Sequence, residues 1–254
     1  MGGAHPLNVS LSHAADLAIV IDDVGYSLER SERVIALPGP LTIGVLPFAP
    51  HAAEAARRAG AAGKEVILHQ PMEPVPAAHV HNVDGTLTLN MTAERFSTLF
   101  AAAVKAVPNV IGVNNHTGSL LTQHPEPMNL LMEQIRARGL FFLDSRTTHK
   151  TVALSIAQKW QVPSIQRDVF LDHVAERAAI ASEFQRALAI ARRQGHAVLI
   201  AHPYPVSLAF LEDALRNLPA DLNLIGVSRL VEPRPSIALA RRENPTSRRI
   251  SLGQ

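Results

Sequence analysis

Histidine, aspartate and asparagine recur at one kind of place in this chain, the point where a short apolar run stops. Asp22-Asp23 follow Leu17–Ile21, and His69-Gln70 follow Val66–Leu68. Asn114-Asn115-His116-Thr117 follow Val110–Val113, and Asp144-Ser145-Arg146 follow Leu140–Leu143. Arg167-Asp168 precede Val169–Leu171, with Asp172 and His173 just beyond it, and His202-Pro203 follow Ala197–Ala201. Neutral imidazole together with one carboxylate is a donor set for a divalent metal of the zinc class, with an open position for water. Such an ion lowers the pKa of its water and polarises a carbonyl oxygen. Two adjacent carboxylates then have separate uses, one as a ligand and one as a base. In a regular strand, neighbouring side chains point to opposite faces. Both can reach one site only if the chain turns there, and Gly25 is close enough to permit a turn.

Each of these residues also has an ordinary structural use. Asp22 and Asp23 could cap the helix that follows. His69 could be a packed histidine and His116 a turn residue. Asp144 and Arg146 could close a loop as an ion pair, and His202 before Pro203 could stiffen a turn. No single one of these uses explains why so many such residues fall at strand ends. The remaining histidines read as surface or loop residues, His79 and His81 among them in the long loop.

The elements that would position the group follow from hydrophobic pattern. The apolar runs already named, with Leu41–Leu46 and Leu224–Val227, lack polar alternation, as parallel strands buried on both faces do. Between them lie helix-period segments: Ser27–Leu37, His51–Ala62, Thr92–Val107, Pro125–Arg138, Lys150–Gln161, Ile180–Gln194 and Val206–Leu218. Thr92 is a helix N-cap, and Gly139 and Gly195 fall where helices end. Strands alternating with helices predict βαβ units. Seven or eight units in this length favour a (β/α) barrel over a doubly wound sheet. In either fold, ligands bind beyond the carboxyl ends of the strands, which is where the polar residues stand. The Pro- and His-rich segment Pro71–Leu89 breaks the rhythm and reads as a long loop holding a hairpin, a common place for function.

Composition narrows the function further. The chain has 254 residues, 47% hydrophobic, as expected of a globular protein. With no Cys there are no disulfides, thiolate metal sites or cysteine nucleophiles. The net charge is +2, and basic residues are scattered except between Arg234 and Arg249, so nucleic acid is not expected as a partner. No run is long enough for a transmembrane helix, and residues 1–16 show no basic segment followed by an apolar core. The expected organisation is an N-terminal extension (1–16), one domain (17–231) and an Arg/Pro-rich tail (232–254).

Val20-Ile21-Asp22-Asp23-Val24-Gly25, Asn114-Asn115-His116-Thr117-Gly118-Ser119 and Leu199-Ile200-Ala201-His202 resemble motifs of the polysaccharide deacetylases. The span Leu17–Leu230 is most similar to their divergent branch. HQPMEP (His69–Pro74), FLDSRTT (Phe142–Thr148) and QRDVFLD (Gln166–Asp172) resemble its further blocks. The resemblance implies a distorted (β/α) barrel of about seven strands. It also implies a metal-dependent hydrolase that removes N- or O-acetyl groups from a carbohydrate, acting in the periplasm or otherwise outside the cytoplasm. It makes Asp22 the base, Asp23 and His116 metal ligands, and His202 the general acid. Arg146 matches the arginine that steadies the base. Asp168 is expected to bond to His202 or Arg167, with Asp144 a reserve ligand or orienter. The pattern departs at position 120, where the wider family's H-x-x-x-H would place a second histidine and this chain has Leu120. Strand-end logic puts His69 in its place. The substrate sugar is expected beside the Pro71–Leu89 loop. With one Trp (Trp160) and two Tyr (Tyr26 and Tyr204), stacking platforms for a long glycan are few.

Two other readings compete. A catalytically silent envelope-binding protein would account for Leu120 and the scarcity of aromatics, but it would not need Asp22 and His202. The other is a different metal-dependent hydrolase, acting on a small amide or a phosphoester, for which a two-metal site would need more clustered carboxylates than the sequence offers.

Overall fold

The structure is a computed structural model that describes residues 14–76 and 83–231. Most of the N-terminal extension, His79, His81 and the 232–254 tail lie outside the described residues.

Strands and helices alternate along the chain. In order they are β1 (Ala15–Val24), α1 (Leu28–Ala36), β2 (Thr42–Val45), α2 (Ala52–Ala61), β3 (Glu65–Met72), α3 (Ala93–Ala106), β4 (Val110–Thr117), α4 (Pro125–Ala137) and β5 (Phe141–Asp144). Then come α5 (Ala153–Lys159), β6 (Ser164–Gln166), β7 (Val169–Phe170), α6 (Arg177–Gln194), β8 (His196–Ala201), α7 (Pro205–Arg216), β9 (Leu222–Ile225) and α8 (Ser228–Val231). Local chemistry sets the boundaries. The side chains of Ser27 and Thr92 cap α1 and α3, and Gly195, in the left-handed region, ends α6.

All strand pairs are parallel, in the order β6-β5-β4-β3-β2-β1-β8-β7. Neighbours in space are almost always neighbours in sequence, which is barrel order and not the reversal of a doubly wound sheet. The expected distorted barrel is therefore what the sheet forms. Eight strands lie on its path, against about seven expected, and β9 pairs with the first half of β1. The two edges are bridged by the chain itself. Gln166 ends β6 against β5, Arg167 donates its backbone N–H to Asp144 O, and Asp168 donates its own to Val198 O on β8.

Side-chain parity splits the core in two. Leu17, Ile19 and Ile21 of β1 face outward into a large cluster under the helices. Ala18 and Val20 face inward and join Ile67, Phe141, Leu143, Val198, Ile200 and Val227 in a small core inside the barrel. Leu230 and Val231 of α8 pack against this inner core, closing the end opposite the carboxyl ends of the strands.

Two expectations need correction. The short strand β6 lacks an apolar run and was not expected. β3 continues through Pro71 and Met72, so the expected long loop begins later, and Leu87 returns to Met72 as an isolated parallel bridge with no hairpin at that point.

Candidate active site

The inward parity row carries the polar residues. Continuing Val20 by two residues gives Asp22, Ile67 gives His69, Ile200 gives His202, and Asn114 leads to His116. A strand repeats its facing every second residue, so these side chains meet at the carboxyl mouth without further machinery. Asp144 has the other parity. Its carboxylate accepts from Arg146 N–H and the Thr151 hydroxyl and stays outside the cluster.

Asp23 has the wrong parity for the mouth and reaches it through a bulge. Ile21 pairs with Ile43 and Val24 with Val45, so Asp22 and Asp23 together oppose Gly44 alone. Asp23 takes φ 58°, the left-handed region that L residues rarely enter. The turn expected near Gly25 is thus made at Asp23 itself. Gly44 leaves the room this needs: a Cβ there would lie 2.0 Å from Asp22 Oδ1.

Three donor atoms converge. Asp23 Oδ1 lies 3.2 Å from His69 Nε2 and 3.0 Å from His116 Nδ1, and the two imidazole nitrogens are 3.1 Å apart. Asp23 Oδ1 is buried, yet neither ring N–H is aimed at it and it has no hydrogen-bond partner among the described residues. An ion about 2.1 Å from each atom would satisfy all three together, so the donor set fits a divalent metal. Asn114, the register partner of His69, fixes that ring: its Oδ1 is 2.8 Å from His69 Nδ1. With the proton on Nδ1, Nε2 presents its lone pair to the cluster.

Asn114 also donates through Nδ2 to Asp22 Oδ2 at 2.8 Å and Oδ1 at 3.0 Å. Burial raises the Asp22 pKa, against the pull of His69, His202 and Asn114. Burial would raise Asp23 too, but His116 and His69 outweigh it and hold the carboxyl well below the usual range. Burial opposes a charge on His69, and the Asp22 and Asp23 carboxylates reverse this, pushing it up to about 9. His202 stands across the mouth, Nε2 4.0 Å from Asp23 Oδ2. Its Nδ1 is 2.9 Å from Asp172 Oδ1, and Asp172 Oδ2 accepts from the His202 N–H and the Ser207 hydroxyl. Burial lowers the His202 pKa, but Asp172, Asp23 and Asp22 together raise it.

These groups open into a cavity of about 370 Å³, whose lining includes Asp22, His69, His116, Arg146, Arg167, Phe170 and His202. No described residue of Pro71–Leu89 lines it. A smaller cavity of about 180 Å³ lies beside Asp23, with Tyr26, Arg30 and Tyr204 in its wall. Tyr204 stacks on His202, with centroids 5.6 Å apart. Trp160 is away from both cavities, donating to Asn129 Oδ1.

The sequence profile described as divergent polysaccharide deacetylase matches residues 19–231. The chain belongs to this family. An uncharacterized protein of Haemophilus influenzae is 40% identical over 240 residues, covering 92% of this chain and 85% of that one. The uncharacterized protein YibQ of Escherichia coli K12 is 38% identical over 218 residues, covering 86% and 68%. A crystal structure of an uncharacterized protein from Agrobacterium tumefaciens C58 superposes with TM-score 0.82 at 26% identity, covering 86% of this chain and 90% of that one.

For this member of the family the geometry corrects two assignments made from sequence. Arg146 does not touch Asp22: its side chain is exposed and makes no hydrogen bond or ion pair among the described residues, and Asn114 is the donor on Asp22. Asp168 does not bond to His202 or Arg167. It accepts from Val198 N–H, and the partner of His202 is Asp172. Asn114 and Asp172 are therefore the residues whose roles sequence reasoning missed. Both stand at strand ends within the quoted motif blocks, so position was the available signal.

Proposed function

We propose that this chain is a metal-dependent hydrolase that removes N- or O-acetyl groups from a carbohydrate of the cell envelope, working outside the cytoplasm. The reading rests on one observation, the buried Asp23 Oδ1, without a hydrogen-bond partner among the described residues, clustered with Nε2 of His69 and Nδ1 of His116, two histidines that line the same cavity as Asp22 and His202. Asp23, His69 and His116 would hold a divalent ion, zinc being the member of the class these donors suit best. When bound, it supplies a Lewis acid for the acetyl oxygen and lowers the pKa of a water. His69 would take the place of the histidine that Leu120 replaces.

Asp22 lines the cavity and is fixed by two hydrogen bonds from Asn114, so its carboxylate is oriented to take the proton of the attacking water. His202 carries its proton on Nε2 toward the mouth while Asp172 holds Nδ1 and favours the imidazolium. It would hand that proton to the departing amine or alkoxide. Phe170, edge-on to His202 at 5.1 Å, and Tyr204 limit its rotation.

Elemental analysis of protein purified without added metal tests the reading, paired with acetate release from acetylated chitooligosaccharide and peptidoglycan fragments. About one ion per chain is expected, lost in His69→Ala and His116→Ala, with acetate release falling at least ~10³-fold because the Lewis acid contributes several kcal/mol. A wild type that binds no metal after supplementation and dialysis would exclude the mechanism.

A further inference from the structure

One wall of the 370 Å³ cavity has no part in the chemistry just described. It is formed by Arg146, two residues after β5, and Arg167, on the segment that bridges the sheet edges. Arg167 is half-buried, and its side-chain hydrogen bonds go to backbone carbonyls and not to acids. Its Nε donates to Ser145 O at 2.7 Å and its Nη2 to Arg146 O at 2.9 Å, and the guanidinium lies over the Phe170 ring at 5.3 Å. The Arg146 side chain has no hydrogen bond or ion pair among the described residues. The two nearby aspartates act on Arg167 through space but form no ion pair with it. Asp144 accepts from Arg146 N–H and the Thr151 hydroxyl, and Asp168 accepts from Val198 N–H.

Two guanidinium groups thus face one cavity without forming an ion pair among the described residues. A guanidinium has five N–H donors, and Arg167 uses two of its own on carbonyls. Backbone carbonyls orient such a fork without neutralising it, so its charge stays available to a ligand. Guanidinium forks match carboxylate and phosphate oxygens. A neutral acetylated sugar would leave this wall unsatisfied. The acidic groups of the site, Asp22 and Asp23, are on β1, four strands from β5, which leads to Arg146, and two from β7, which follows Arg167.

We propose that the Arg146–Arg167 wall binds an anionic group, carboxylate or phosphate, carried by the same sugar as the acetyl group, so that the substrate class is an acidic acetylated saccharide. This specificity rests on the deacetylase reading and narrows it. The cavity is at the small end for ligand sites, which suits one sugar residue with its substituents.

The test is binding, which needs no turnover. Metal-loaded protein is titrated by calorimetry with N-acetylglucosamine, N-acetylmuramic acid, N-acetylglucosamine 6-phosphate and sodium acetate. At least one anionic sugar is expected to bind about tenfold or more tightly than the neutral one, with a preference that shrinks as salt rises. The stronger of the two identifies carboxylate or phosphate. In Arg146→Gln the ratio should fall toward one. Arg167→Lys, which keeps the charge and loses the fork, should reduce it as well, with thermal unfolding confirming that both variants are folded. Equal affinity for the neutral and acidic sugars, or a preference intact in both variants, overturns the proposal. So does acetate alone binding as tightly as the acidic sugars, which would assign the wall to product. A preserved anionic preference without acetate release from any substrate would instead count against the hydrolase reading alone.

Discussion

The two mouths of the barrel are built from the same strands and differ in how they treat buried polar atoms. At the amino end, Glu65 accepts from the Thr42 hydroxyl, the Ser228 N–H and the Ser228 hydroxyl, while Thr42 Oγ1 accepts from Val227 N–H. Gly226 leaves the space: a Cβ there would meet Glu65 Oε1 at 2.1 Å. The result is a latch that seats α8 as a plug. At the carboxyl end, Asp23 Oδ1 is buried without a hydrogen bond among the described residues, and three non-glycine residues at that mouth, Asp23, Thr117 and Arg146, take φ between 49° and 58°. Each left-handed residue costs about 1 kcal/mol or more. A fold that satisfies polar groups at one end and leaves them strained at the other concentrates its unsatisfied chemistry where a ligand can relieve it.

The contrast can be broken at either end. The largest effects belong to the carboxyl mouth: Asp22→Asn and His202→Ala should each lower acetate release about 10²–10⁴-fold with metal content retained, as expected for loss of a base or an acid. If Asp22→Asn also strips the metal, Asp22 is a ligand and its separation from Asp23 in role fails. Next comes Asn114→Ala, which should weaken metal affinity about 10–100-fold in competition with a chelator, because the His69 ring loses its orienting partner. At the amino end, Glu65→Gln should lower unfolding free energy by about 1–3 kcal/mol in urea while metal content stays at the wild-type value. A loss of metal in that variant would show the two mouths to be coupled.

The smallest effect is a pH dependence. In metal-free protein the His69 pKa lies at about 9 when folded, above 6.5 when unfolded. A raised pKa means that its ion pairs stabilise the fold fully below pH 6.5 and are lost as pH rises through 9. Thermal unfolding of metal-free protein should therefore show declining stability across that window. The decline should vanish when metal holds His69 neutral, and also in His69→Gln.

Much of the fold was legible because parallel strands buried on both faces must be apolar throughout. Eight of the nine strands announced themselves as apolar runs, and the capping roles of Ser27, Thr92 and Gly195 agree with their residue types. Ser164–Gln166 was missed because a short strand whose residues are only half-buried carries no hydrophobic signature. The site was legible as a set of strand-end residues, since an in-register barrel brings equivalent positions together. The partner of each residue was not: whether His202 meets Asp168 or Asp172 depends on where the β6–β7 segment crosses between sheet edges, and sequence separation does not encode that crossing.

The sequence by itself determined the element order, the family and the polar residues that face the carboxyl mouth, because a strand's two-residue repeat and its apolar burial are local properties. Tertiary structure alone decided that Asp23 joins Asp22 through a bulge opposite Gly44, that Asn114 rather than Arg146 steadies Asp22, and that Asp172 holds His202. Each of these depends on the spacing between side chains on different strands, which exists only once the barrel has closed.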